Sequence, residues 1–216
     1  MEKILNLGEL PVGSLMSEHR LMDRYLRLMK KETNLMDQGK NPDRVLIERI
    51  VDFFDTYAHQ CHYGKEEEIL FRDLLLKRLS PEHKKVIDEL VLDHIRERDL
   101  IDRLDIAKDK YWLGESGALR EILTDLKSIV DFYPRHMQKE EKQFFLPAME
   151  YLSKKEQKNM LREFAKLDQN LIHEKYIKIA DRYEGNLTHS EYGARAMQLL
   201  NQPEVSFLSE EPGKRK

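Results

Sequence analysis

Apolar positions recur along most of this chain at alternating steps of three and four, the spacing of one inward face on a helix. A first stripe reads Leu15, His19, Met22, Leu26, Met29, Thr33, Met36, and a second reads Ile47, Val51, Phe54, Ala58, His62, Glu66, Ile69. A third runs through Ile87, Leu90, His94, Ile101, Leu104, and a fourth through Leu119, Ile122, Leu126, Ile129, Tyr133, His136, Glu140. Four amphipathic helices follow, each burying one stripe against the others.

Start and stop signals divide the helices. Ser14 is a good cap for the first, and Gly39 ends it. Asn41-Pro42 reads as cap and first residue of the second helix, to about Leu79, and Ser80-Pro81 repeats the signal for a third ending at Trp112-Leu113-Gly114. Ser116 is placed to cap the fourth, in which Pro134 removes one backbone bond and favours a kink. Ser153 to Glu156 has the form of a capping box, so a fifth helix should run to about Tyr183, stopped by Gly185. Its stripe Met160, Phe164, Leu167, Leu171 would cover the bundle. The expected fold is all-α: an antiparallel up-down four-helix bundle over residues 1–150, an additional C-terminal helix over 151–185, and a short helix with a flexible tail over 186–216.

Two stripes contain what a core normally excludes. A four-residue step turns a helix by only about 40°, so His62 and Glu66, and likewise His136 and Glu140, present imidazole and carboxylate side by side. His19 and His94 lie alone on the other two stripes. The set is duplicated: His94 follows His19 by 75 residues, and His136 and Glu140 follow His62 and Glu66 by 74. A lone histidine on an apolar face is ordinarily a hydrogen-bonded core residue, but four in register with two buried glutamates call for a cation, because burying each carboxylate without one costs several kcal/mol.

Four imidazoles and two carboxylates without a thiolate suit iron, with manganese and zinc as alternatives. If Glu66 and Glu140 both bridge, each of two metals receives two histidines and two carboxylate oxygens, and an oxo or hydroxo bridge would leave one position open. Such a site suits oxygen, nitric oxide or peroxide.

Neighbouring polar residues have plainer readings. His59 is read as a donor near the ligands, Asp23 and Arg98 as an ion pair, and Glu67, Glu68 and Glu141 as a solvated face. Cys61 reads as a packed thiol, Tyr133 as core, and His83, His173 and His189 as structural or exposed.

The segment His62-Tyr63-Gly64-Lys65-Glu66-Glu67-Glu68-Ile69-Leu70-Phe71, echoed by His136-Met137-Gln138-Lys139-Glu140-Glu141, resembles the His-x-x-x-Glu-Glu signature of hemerythrin-like proteins, the cation-binding HHE domain family. The likeness covers roughly residues 14–150. It implies a four-helix bundle with a carboxylate-bridged pair of iron ions, and roles that range over oxygen binding, sensing, reduction of peroxide or nitric oxide, and iron donation to damaged iron-sulfur clusters. Oxygen carriers of the family place a further histidine where Arg98 stands here, which argues against simple oxygen carriage. A cysteine-bearing N-terminal domain found in many cluster-repair members is not expected either.

Composition narrows the partners. Charged residues are 36% of the chain, yet 37 basic side chains against 40 acidic ones leave a net charge of -3, too little field to recruit nucleic acid or anionic lipid. No apolar run is long enough for a membrane span, and the lone Cys61 excludes an intrachain disulfide. The expectation is a cytoplasmic monomer or homodimer whose partners are a small ligand and an electron-donor protein.

Overall fold

The computed structural model describes residues 7–168 and 172–185, which are helical with no strand among them. Leu171, His189 and the expected short helix and tail over 186–216 lie outside the described residues. The chain divides into a unit comprising Met1–Ala180 and a second from Asp181 onward, of which only residues 181–185 are described. No helix among the described residues is long and apolar enough to cross a membrane.

After one 3₁₀ turn, Leu7–Glu9, helix α1 spans Pro11–Asp37. It starts three residues before Ser14 because Pro11 is preset for a first turn and needs no donor there. The earlier start also buries Leu10 and Val12 in a cluster with Leu70, Phe144 and Phe164. Gly39, at φ 80°, closes the other end by donating to Met36 O at 2.9 Å, a left-handed cap that side chains resist.

The second helical run, α2, covers residues 44–75 and alternates α and π winding: Arg44–Phe53, then π over Phe54–His62, Tyr63–Lys65, π over Glu66–Phe71, and Arg72–Leu75. Its cap is Asp43 rather than Asn41. Asp43 Oδ1 accepts from Leu46 N at 3.1 Å, while its own N–H donates to Glu32 at 2.6 Å. The run ends at Leu75, before the expected Leu79.

Helix α3, Pro81–Trp112, begins as expected with Ser80 accepting from His83 N at 3.2 Å. The fourth run, α4, covers residues 118–148 as Ala118–Lys139, π over Glu140–Phe144, and Phe145–Ala148. Gly117, at φ 89°, takes the cap position in place of Ser116, and the first helical stretch continues unbroken through Pro134. Leu119 is exposed there, and Ala118 is buried in its stead.

Cross-helix contacts show neighbours running in opposite directions. Between α1 and α4, His19 meets Glu141 while Asp37 meets Lys127; between α3 and α4, Asp93 meets Lys139 while Lys110 meets Glu121. Between α1 and α2, Glu18 meets His62 while Glu32 meets Asp43.

The expected fifth helix is two. Helix α5, Lys154–Leu167, carries the full capping box of Ser153 and Glu156 and buries Met160 and Phe164. It stops at Asp168, whose N–H caps Phe164 O at 3.1 Å and whose carboxylate is drawn to Lys65 and His173 instead of continuing a helix face. Helix α6, Ile172–Tyr183, follows, and Gly185 comes after it at φ 77°. Tyr176 locks α6 down: its hydroxyl donates to Asp52 O at 3.0 Å, its carbonyl accepts from Tyr25 at 3.1 Å, and Tyr25 stacks on Phe53 at 3.6 Å.

Phe164 is the apolar pin of α5, 1% exposed in the cluster with Leu10, Leu70 and Phe144. Phe164→Ala should lower the unfolding free energy by about 3–5 kcal/mol in urea titration, as expected for a truncated core aromatic.

Candidate metal centre

All six side chains singled out by their spacing converge in the bundle interior, each 2% exposed or less. His19 Nε2 and His62 Nε2 lie 3.2 Å apart; His19 Nε2 is 3.2 Å from Glu140 Oε2, and His62 Nε2 is 3.6 Å from Glu66 Oε1. On the other side, His94 Nε2 is 3.3 Å from Glu66 Oε2 and 3.8 Å from Glu140 Oε1, and His136 Nε2 is 3.2 Å from Glu140 Oε1. Each carboxylate therefore turns one oxygen to each histidine pair. Donor atoms of His19, His62, Glu66 and Glu140 all lie within 4.8 Å of one another, as do those of His94, His136 and Glu140.

Among the described residues neither carboxylate accepts a well-aligned hydrogen bond through either oxygen, although both are fully buried and the inward imidazole nitrogens are their nearest polar neighbours. Such groups are normally satisfied, and leaving them bare costs several kcal/mol. A pair of cations between the nitrogens and oxygens removes that cost, so the donor set fits a metal pair in number, chemistry and placement.

The outward edges of the rings complete the case. His19 Nδ1 faces Glu141 at 3.0 Å, His62 Nδ1 faces Glu18 at 2.7 Å, His94 Nδ1 faces Glu67 at 2.7 Å, and His136 Nδ1 faces Asp93 at 3.5 Å. A carboxylate beside Nδ1 makes that nitrogen the proton-bearing one and leaves the Nε2 lone pair directed inward, the tautomer a metal ligand needs.

A family model, the hemerythrin HHE cation binding domain, matches residues 10–149. The chain belongs to the hemerythrin HHE family. Comparison with curated proteins and with solved structures gave no match.

In this hemerythrin-family chain the outer carboxylates have their own counter-charges. Lys65 pairs with Glu18 and Asp168, Lys139 with Asp93 at 2.8 Å, Arg98 with Glu67 at 2.9 Å, and Arg20 with Glu141 at 3.8 Å. Arg98 thus serves Glu67, not Asp23, with its guanidinium 5.4 Å over the Tyr63 ring. Glu67 and Glu141, expected on a solvated face, are ring partners; only Glu68 is exposed as expected. The reason is the winding: π turns at Glu66–Phe71 and Glu140–Phe144 rotate less per residue, so the residue after each glutamate stays near the interior.

Burial disfavours charge throughout, yet Glu140 and Glu141 raise the His19 imidazole to about 9, and Glu140, Glu66 and Glu67 raise His94 to about 9. Against the same burial, His136, His19 and His94 hold the Glu140 carboxyl well below the usual carboxylate range. Glu18 is likewise held low despite burial, by His62 and Lys65. Burial, Arg98 and His94 push His59 down to about 3, and its Nε2 faces the Tyr133 hydroxyl at 3.4 Å, outside both donor groups.

Several residues around the centre escaped the sequence reading. Glu18 and Asp93 each precede an inward histidine, and Lys65 and Lys139 each lie three residues after one, so the duplication offset held a signal for all four. Glu97, fully buried and three residues after His94, completes the α3 seam that was read without it. His173 is a polar linker: its Nε2 is 2.8 Å from Asp168 and its Nδ1 2.7 Å from the Tyr57 hydroxyl. Cys61, its thiol pushed up to about 12 by burial, donates to Asp168 at 3.4 Å. Although Cys61, Asp168 and His173 cluster, the Lys65 ammonium already supplies their positive charge. His83 bonds the Tyr151 hydroxyl at 2.8 Å, away from the centre.

Lys65 is the fully buried cation of this shell, so Lys65→Met leaves Glu18 to His62 and the half-buried Asp168 to His173, without the ammonium between them. A loss of about 3–5 kcal/mol is expected in denaturant titration, as for one partner removed from a buried ion pair. Adding Glu18→Gln should restore part of it; a double variant no better than the sum of the single losses would show the pair to be uncoupled.

Proposed function

We propose that this chain is a non-haem di-iron protein that binds or senses a small oxidant or diatomic ligand, oxygen, nitric oxide or peroxide. His19 and His62 would hold one ion and His94 and His136 the other, with Glu66 and Glu140 spanning both inside an up-and-down four-helix bundle. The observation that carries this reading is the set of four carboxylate oxygens, buried without a hydrogen bond and divided between two histidine pairs whose Nδ1 edges all face carboxylates. Iron is favoured over softer metals because the donors are imidazole and carboxylate alone.

Bound iron would supply reversible redox change and affinity for small ligands. The chain's own residues orient the rings, neutralise the outer carboxylates, and wall the site with Tyr63 stacked 3.7 Å from His94 and Phe145 5.7 Å from His19. Clefts reach its outer edges: one of about 190 Å³ is lined by His19, Asp23 and Glu141, and one of about 290 Å³ by Asp93, Arg96 and His136.

Metal analysis of purified protein should find two iron ions per chain. His62→Ala or Glu140→Ala should remove most of it and His83→Ala none; equal iron in all three variants would refute the assignment.

Proton linkage gives an independent check. His19 and His94 titrate near 9 in the metal-free protein, against about 6.5 when unfolded. A raised histidine pKa contributes stability that is complete below about pH 6.5 and is lost as pH climbs through about 9. Metal binding requires the same rings neutral, so its affinity rises over that interval. Chelated protein should therefore melt lower at pH 9 than at pH 6.5, and loading metal at pH 7 in weak buffer should release protons. A flat melting profile with no proton release would contradict the linkage.

A further inference from the structure

The two halves of the bundle correspond at offsets of 74 and 75 residues, and the first-half counterpart of Glu97 is Met22. Both sit on the inward seam, Met22 at 1% exposure and Glu97 at 0%. A methionine therefore fills this level of the core in one half, and packing does not require a carboxyl in the other. Among the described residues no basic side chain bonds either oxygen of Glu97, and the one hydrogen-bonding group beside it is the Tyr133 hydroxyl. The adjacent cation, Arg98, is committed to Glu67 at 2.9 Å. The charged groups that act on Glu97 belong to the centre, His136, Glu140 and His19. Its donor atoms nevertheless join neither histidine cluster, so it stands beside the ligands and is not one of them.

A carboxyl buried with no cation bonded to it and only a phenol beside it keeps its proton, because the charged form is costly out of water. Glu66 and Glu140 supply the negative charge nearest the metals, which leaves Glu97 as a neutral O–H donor beside the Tyr133 hydroxyl.

We propose that Glu97 is the ligand-selecting group of the centre, donating a hydrogen bond to a small proton-accepting ligand of the peroxide or azide type carried there. The proposal rests on the metal reading above. It favours anionic, proton-accepting ligands over nitric oxide, a poor hydrogen-bond acceptor.

The test compares wild type, Glu97→Gln and Glu97→Met, each assayed for iron, titrated with azide in the ferric state by visible absorption, and exposed to nitric oxide when reduced. All three should hold equal iron and bind nitric oxide alike. Glu97→Met should lose azide affinity by about tenfold or more, whereas Glu97→Gln, which keeps an N–H donor in place, should lose no more than about threefold. Chelated Glu97→Met should melt above chelated wild type, since an apolar side chain replaces a buried carboxyl that no basic side chain bonds.

Unchanged azide affinity in Glu97→Met, equal loss in both variants, or loss of iron from either overturns the proposal. Failure of Glu97→Met to fold, or a lower melting temperature in chelator, marks a structural post and overturns it too. Absence of iron from wild type would instead remove the metal reading, and this proposal with it, before any ligand is added.

Discussion

Two carboxylates, Glu66 and Glu140, sit at the middle of the bundle with no exposure and, among the described residues, no lysine or arginine to offset them. Around them the chain is scrupulous about charge: Glu18, Glu67, Asp93 and Glu141 are each matched by Lys65, Arg98, Lys139 or Arg20. The surplus negative charge is thus confined to the inner pair. Without metal it is carried by protons on the imidazoles, which is why His19 and His94 titrate near 9. Cations of higher charge can displace those protons without any change in the surrounding shell, so the shell is arranged for an occupant that the side chains do not themselves provide.

The shell also shows the duplication at the level of interactions. The acid that precedes the lone inward histidine of α1 or α3, Glu18 or Asp93, faces Nδ1 of the histidine on the following helix, His62 or His136, and is neutralised by the lysine three residues on. The acid after each inner glutamate, Glu67 or Glu141, faces the lone histidine, His94 or His19. One hairpin's worth of rules, applied twice, builds both histidine pairs. Departures from it, Glu97 for Met22 and Tyr63 for Met137, fall beside the second pair, where Tyr63 also stacks on His94.

Much of this was legible in the chain because helical periodicity is a strong signal and the inward histidines and glutamates interrupt it at matched offsets. Ser80-Pro81 and Ser153 to Glu156 marked their helix starts because side-chain capping is local chemistry. The misplaced starts, Pro11 for Ser14 and Asp43 for Asn41, were decided by tertiary partners: burial of Leu10 and Val12, and the reach of Glu32 to Asp43. The π turns were invisible, since nothing in a hydrophobic pattern distinguishes a wider turn from an ordinary one. That cost the roles of Glu67 and Glu141, which a uniform 100° rotation points at water. Lys65 was missed for another reason: its partner Asp168 lies over a hundred residues away, at a helix end that propensity alone would have continued.

That distant partner changes what the C-terminal helices do. Asp168 ends α5, binds Lys65 and His173, and through Lys65 and Glu18 connects to the Nδ1 edge of His62. Tyr57 closes the same network by way of His173 on α6. A helix pair that merely covered a core could be exchanged for any apolar lid, but this one contributes the second carboxylate on a fully buried lysine. Without it Lys65 would balance Glu18 alone, and the orientation of a central imidazole would depend on a looser, more solvated pair. The additional helices therefore belong to the electrostatic shell of the centre, which extends some twenty residues beyond the segment matched by the family model.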